Sequence, residues 1–208
     1  MGKVSFKPGT MLNPVPAVMV SCGEGDKKNI ITIAWTGIVN SEPPLTYISV
    51  RKSRHSHGII SKTGEFVINI TTEELAEATD YCGVKSGRDV DKFKEMNLTP
   101  GPCSKVKCPL IEESPVNLEC KVIDVKEYGT HDMFLAEIVD VQVDEDLLDE
   151  KGTFHLDKAN LLAYVHGEYF GMKKYPIGKF GFSIMKPKTR KRVNRETNNR
   201  YRGNKKRG

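Results

Sequence analysis

The densest group of polar side chains runs Ser49-Val50-Arg51-Lys52-Ser53-Arg54-His55-Ser56-His57-Gly58-Ile59. Ser49 and Arg51 leave a strand-like stretch, and Ser56 stands where a helix could begin. Guanidinium forks give bidentate hydrogen bonds to phosphate oxygens. Hydroxyls and backbone N–H groups fill the remaining lone pairs, and a helix start adds partial positive charge. Each charge-assisted bond contributes about 1.5–3 kcal/mol, so three or four such groups could hold a phosphate dianion against water. The same residues also fit a solvated basic loop after an edge strand.

Other chemistry-bearing residues fit no complete constellation. The five cysteines (Cys22, Cys82, Cys103, Cys108, Cys120) form no CxxC pair, so neither a zinc ribbon nor a finger is indicated. His55 and His57 lack a third metal ligand, and the acids from Asp144 to Glu150 lack the glycine-pivoted spacing of a calcium loop. Gly23–Lys28 is a glycine-rich turn without the spacing of a P-loop. No GxGxxG is present, so a nicotinamide nucleotide would bind without a Rossmann domain.

The elements that must position these groups read mainly as strands. Residues 15–22 and 29–35 are β-rich runs separated by a Gly/Asp/Lys turn. In 46–52, Ile48 and Val50 alternate with Tyr47, Ser49 and Arg51. Residues 65–70 form a short apolar run, and 116–129 with 131–145 read as a hairpin turning at Tyr128-Gly129-Thr130. Three short helices are predicted: 56–64 capped by Ser56 and stopped by Gly64, 72–83 capped by Thr72, and 89–97 capped by Asp89. Six or more strands without βαβ alternation indicate a mainly β, barrel-like domain over residues 1–185.

Charge separates that domain from the tail. The 208 residues carry a net +5, yet residues 186–208 hold eleven Lys/Arg and one Glu. Residues 1–185 therefore hold 21 basic and 26 acidic side chains, a net of −5. The tail is almost devoid of apolar residues and is expected to be disordered. No apolar run reaches the roughly 18–20 residues of a membrane span, and the N-terminus lacks a secretory h-region. Reduced thiols in a cytoplasmic protein without membrane contact are the expectation.

Five blocks in order resemble the flavin reductase-like FMN-binding proteins, and most the flavoredoxin branch. They are Asn29-Ile-Ile-Thr-Ile-Ala-Trp35-Thr-Gly37; Pro43-Pro44 with Ile48-Ser-Val-Arg51; Thr63-Gly-Glu-Phe-Val-Ile-Asn69; Ser86-Gly-Arg-Asp-Val-Asp-Lys92-Phe93; and Gly129-Thr-His131-Asp-Met-Phe-Leu-Ala-Glu137. The resemblance spans roughly residues 10–175. It implies a split β-barrel that binds FMN, usually as a homodimer. With the resemblance, Arg51, Lys52, Ser53, Arg54 and Ser56 become the candidates for the flavin phosphate, with Ser49 at the start of that segment; Ser56 falls where the family often has Thr. Asn29, Thr32, Ala34, Trp35 and Thr36 fall in the isoalloxazine neighbourhood. Lys92 matches an Asp-Lys-Phe lysine expected to offset charge on the reduced ring. His131, the catalytic candidate, would hydrogen-bond flavin or nicotinamide, its ordinary pKa near 6.5 also allowing charge compensation. Phe170 or Tyr169, with Tyr164 behind, would supply the late aromatic. Read without the resemblance, Trp35 is a core aromatic, His131 a turn residue and Lys92 a solvated helix lysine.

The implied activity is an FMN-dependent oxidoreductase taking electrons from NADH, NADPH or a protein donor and passing them to free flavin, a metal centre or a redox partner. Two other classes fit the residues: a nucleic-acid-binding protein acting weakly through its basic tail, and a flavin carrier or sensor without turnover.

Overall fold

The computed structural model describes residues 2–173, 176–193 and 195. Chain contacts divide it into two units, residues 1–172 and 173–208, so the first unit ends before the sequence-based boundary at residue 185. Its strands are β1 (Val18–Cys22), β2 (Asn29–Ile33), β3 (Thr36–Ser41), β4 (Pro44–Arg51), β5 (Glu65–Asn69), β6 (Pro100–Gly101), β7 (Leu110–Ile111), β8 (Val116–Tyr128), β9 (His131–Val143), β10 (Leu162–Val165) and β11 (Glu168–Gly171). Its helices are α1 (His55–Thr63), α2 (Ala76–Val84) and α3 (Lys92–Glu95).

Seven strands form one antiparallel sheet in the order β2-β1-β5-β8-β9-β4-β3. The sheet curls on itself. Val18, Val20, Ile31, Ile33, Ile48, Val50, Phe66, Ile68, Cys120, Phe134 and Ala136 from six of those strands meet in one buried cluster, with Ile60 of α1 among them. This is the interior of the split barrel. β1 is buried along its whole length because its other face is covered too. Met19 and Ile30 pack outward against Leu75, Ala78 and Cys82 around α2 and Phe93 of α3. A strand enclosed on both sides reads as a continuous apolar run rather than an alternation. β4 is wet on one face, and its alternation survives: Thr46, Ile48 and Val50 are buried while Ser49 and Arg51 face the other way.

The β8–β9 hairpin turns where expected, with Tyr128 opposite His131 and Gly129 at φ 60°. Gly64 closes α1 in the left-handed region at φ 67°, its N–H bonded to the Ile60 carbonyl. The other helix signals shift. Ser56 does not cap α1, which starts one residue earlier with Arg54 at the cap and no side-chain acceptor. His55 and His57 both lie on this helix. Thr72 instead bridges to Leu161, so α2 begins only at Ala76. Asp91, not Asp89, caps α3, accepting from the N–H groups of Phe93 and Lys94.

In the second unit, residues 182–184 make a short 3-10 turn and 187–193 are helical. The remainder of the basic tail lies outside the described residues.

Candidate functional site

Two adjoining cavities open at one end of the barrel, where β4 passes into α1. The first, of about 250 Å³, is lined by Arg51, Ser53, Arg54, His55 and Ser56 from the β4–α1 segment. Asn29 and Ile31 of β2, Cys82 of α2, and Lys85, Ser86, Gly87, Arg88 and Lys92 complete it. The second, of about 450 Å³, is lined by Thr32, Ile33, Ala34, Trp35, Ser49, His131, Asp80, Gly83, Tyr164 and Tyr169, among others. Ile31, Arg51 and Arg54 line both.

The first cavity gathers five cationic side chains and no carboxylate. Two of the five come from the α2–α3 loop, where Lys85 follows the end of α2 and Arg88 donates from Nη1 to the Ser53 carbonyl at 3.3 Å. Lys92 is only 3% exposed. Its Nζ donates to the carbonyls of Ile30 and Cys82, both at 2.7 Å. Burial, reinforced by Arg54, pushes its pKa down, although the Cys82 thiol opposes the shift. Asn29 donates from Nδ2 to the Ser56 hydroxyl at 2.8 Å. Gly87 lies so close to this pair that a β-carbon there would stand 2.0 Å from Asn29 Oδ1.

The second cavity is an aromatic slot. Trp35, 43% exposed at the β2–β3 junction, meets the His131 ring at 4.6 Å and 38°. Tyr164 and Tyr169 pack edge-to-face at 5.4 Å on β10 and β11. The Tyr169 hydroxyl donates to Asp80 at 3.3 Å, and burial together with that carboxylate pushes its pKa up to about 12. Burial and the Arg51 guanidinium push His131 below the usual histidine range, against a pull from Asp132. His131 Nδ1 lies 2.9 Å from the Thr130 hydroxyl.

Several expected residues are placed otherwise. Lys52 lines neither cavity: its ammonium pairs with Glu127 and lies 3.4 Å from Asp132. Two carboxylates thus hold the charge expected at a phosphate. Thr36 lines neither, because its hydroxyl donates to the Tyr47 carbonyl at 2.6 Å inside the β3–β4 hairpin. Phe170 is 47% exposed, and strand alternation gives the slot its neighbour Tyr169 instead. Asn29 and Lys92 belong to the cationic cavity, not to the ring neighbourhood: Asn29 is bonded to Ser56 and Lys92 to the Ile30 carbonyl. Charge compensation by His131 meets the downward shift just described, which favours the neutral imidazole near neutrality. Thr32 stays beside the slot, with its hydroxyl donated to the Thr79 carbonyl.

Lys85, Arg88 and Asp80 were not expected at the site. The first two flank the Ser86-Gly87 dipeptide, and cations on either side of a glycine between two helices are a readable anion-site signal. Asp80 carries no such mark. Burial pushes the Cys22, Cys103 and Cys120 thiols up to about 12 and Cys82 to about 11, which argues against a reactive thiolate. Among the described residues no cluster could hold a metal ion, and no helix is long and apolar enough to cross a membrane.

Comparison with known proteins agrees with this architecture. Flavoredoxin of Desulfovibrio vulgaris (Miyazaki F) superposes with a TM-score of 0.79 at 32% identity, covering 86% of this chain and 98% of that one. Flavoredoxin from Methanosarcina acetivorans gives 0.79 at 27% identity, covering 89% and 100%. An uncharacterized protein of Pyrococcus abyssi is 32% identical over 160 residues, 77% of this chain and 91% of its own length. The model of the flavin reductase like domain matches residues 10–173, a span that takes in every strand and both cavities, and the chain belongs to that family.

Proposed function

We propose that the protein is an FMN-binding oxidoreductase of the flavoredoxin type. The observation that carries this reading is the pair of adjoining cavities, one cationic and free of lining carboxylates, the other walled by aromatic rings, joined through Arg51 and Arg54. A flavin mononucleotide has the same two ends. Its phosphate dianion suits the guanidinium forks, the Ser53 and Ser56 hydroxyls and the N-terminal turn of α1. Its ring system suits a slot between Trp35–His131 and Tyr164–Tyr169. Gly87, where a side chain would collide with Asn29, keeps the cavity floor shallow enough for backbone to approach the anion.

When bound, FMN supplies hydride and single-electron chemistry that no side chain here possesses. The chain binds, orients and screens. Arg51 and Arg54 hold the phosphate and set a positive potential along the wall shared by both cavities. The neutral His131 is a hydrogen-bond donor rather than a charge. The hydrogen bond between Nδ1 and the Thr130 hydroxyl orients the ring. Asp80 fixes the Tyr169 hydroxyl at the opposite wall and keeps its proton on. Electrons would come from NADH, NADPH or a protein donor and leave to free flavin, a metal centre or a redox partner. The exposed apolar Ile38 and Val39 on β3 favour a homodimer with these strands at the interface, which size-exclusion chromatography with light scattering would report.

An absorption spectrum of the purified full chain tests the reading. The expected result is a flavin band, native or after incubation with FMN and desalting, that bleaches with anaerobic NADH or NADPH. A flavin band that neither nucleotide bleaches assigns the electrons to a protein donor. A chain that remains colourless after FMN overturns the proposal.

A further inference from the structure

The N-terminal turn of α1 supplies the cationic cavity with Ser56 and, at the cap, Arg54, yet no local side chain caps that turn. No side chain accepts from its free N–H groups and no acidic residue stands in it. Helix ends normally rely on such caps for about 1 kcal/mol of stability. The turn is held from a distance instead. His57 Nε2 meets Asp132 Oδ2 of β9 at 2.7 Å, with both side chains largely buried. The His57 ring also stands edge-on to Phe134, 5.3 Å away at 71°. The other carboxylate oxygen, Oδ1, is buried and lacks a hydrogen-bond partner among the described residues. The Lys52 ammonium lies 3.4 Å from it and is itself paired to Glu127.

The position of this pair within the chain is what matters. Ser56, immediately before His57, is buried and accepts from Asn29 in the cationic cavity. His131, immediately before Asp132, stacks on Trp35 in the aromatic slot. One buried contact therefore fastens the anion end of the site to the ring end, across two elements that share no backbone hydrogen bonds.

We propose that His57 and Asp132, backed by Lys52, are positioning residues for the phosphate end of the flavin. They touch neither cavity. They hold the first turn of α1 at the distance from β9 that lets Arg51, Arg54 and Ser56 converge on a phosphate while the ring occupies the slot. The inference rests on the flavin-binding reading and goes beyond it by assigning phosphate selectivity to a pair outside the site.

The test compares FMN with riboflavin, which has the same ring and no phosphate, by titrating the full chain and following flavin fluorescence. In His57→Leu the helix turn loses its tether. FMN affinity is expected to fall about tenfold, equivalent to about 1.4 kcal/mol, while riboflavin affinity changes by less than about twofold. In His57→Gln, whose amide can donate to Asp132, most of the FMN affinity returns. Lys52→Met, at an exposed position where folding is not at stake, gives a smaller loss in the same direction. Equal losses for both flavins, or unchanged FMN affinity in both His57→Leu and Lys52→Met, overturn the inference. A native chain that binds neither flavin removes the functional reading itself, and this inference with it.

Discussion

Arg51 and Arg54 border both cavities, and no carboxylate lies within ion-pair distance of either among the described residues. Exposed guanidinium groups contribute little to folding, whereas each charge-assisted bond to phosphate contributes about 1.5–3 kcal/mol. Arg51→Ala with Arg54→Ala should therefore weaken FMN binding by about two orders of magnitude or more and leave thermal unfolding of the flavin-free chain almost unmoved. Isothermal titration and circular dichroism measure the two quantities separately, and unchanged FMN affinity would remove the phosphate assignment. Asp132 gives a pH-dependent prediction. Burial pulls its pKa up, but the hydrogen bond with His57 and the nearby Lys52 charge prevail and hold it below the usual 3.8. The folded chain then binds fewer protons than the unfolded one in that window. The stabilisation is fully present above about 3.8 and is lost as pH falls through the native value. Urea titrations at about pH 6 and about pH 2.5 should show a gap between native and Asp132→Asn chains that narrows at the lower pH. A gap that stays constant with pH would exclude the charge as its origin. Residue identity alone could mark Arg51 and Arg54 as candidates but could not tell them from Lys52. The three lie within four positions, and only the β8–β9 hairpin brings in the acids that capture the lysine.

At the scale of elements, Gly87 is the sharpest constraint. It lies in the loop from α2 to α3, and an added methyl would meet the Asn29 amide far inside contact distance. Gly87→Ala must push Asn29 off Ser56 or lift the loop carrying Lys85 and Arg88. Either way FMN affinity should drop about tenfold or more, with a loss of stability of about 1–3 kcal/mol from the displaced hydrogen bonds. Wild-type affinity in this variant would show that the loop yields freely. The strands were legible because barrel burial imposes a period of two, as at Ile48 and Val50, or a continuous apolar run where both faces are covered, as at Val18–Cys22. The helix starts were less so. Thr72 has the chemistry of a cap but spends its backbone on Leu161, about ninety residues away, and no local pattern announces such a partner. Lys92 was hidden in the same way. Its charge suggests solvent, but the two carbonyls that receive its protons belong to β2 and α2, elements that meet only in the folded barrel.

For the molecule as a whole, charge and architecture separate along the chain. Every residue lining the two cavities lies between Ala17 and Tyr169, whereas the excess of positive charge lies beyond residue 185. A chain ending at Lys173 should bind FMN with native affinity, checked by the same titration. Association of the full chain with RNA should weaken steeply with salt and vanish on that truncation, as expected for eleven tail cations releasing counterions. RNA retention by the truncated chain, measured by filter binding at two salt concentrations, would move the polyanion surface onto the barrel.

The chain contains a single tryptophan, and it stands at the rim of the slot against His131. Its near-ultraviolet emission overlaps the absorption of an oxidised isoalloxazine, so a flavin bound in that slot would quench it by energy transfer. On the proposed reading the barrel carries its own optical gauge. Trp35 emission should fall as FMN is added and recover as it leaves, so cofactor exchange would be timed in the unlabelled protein without altering a residue.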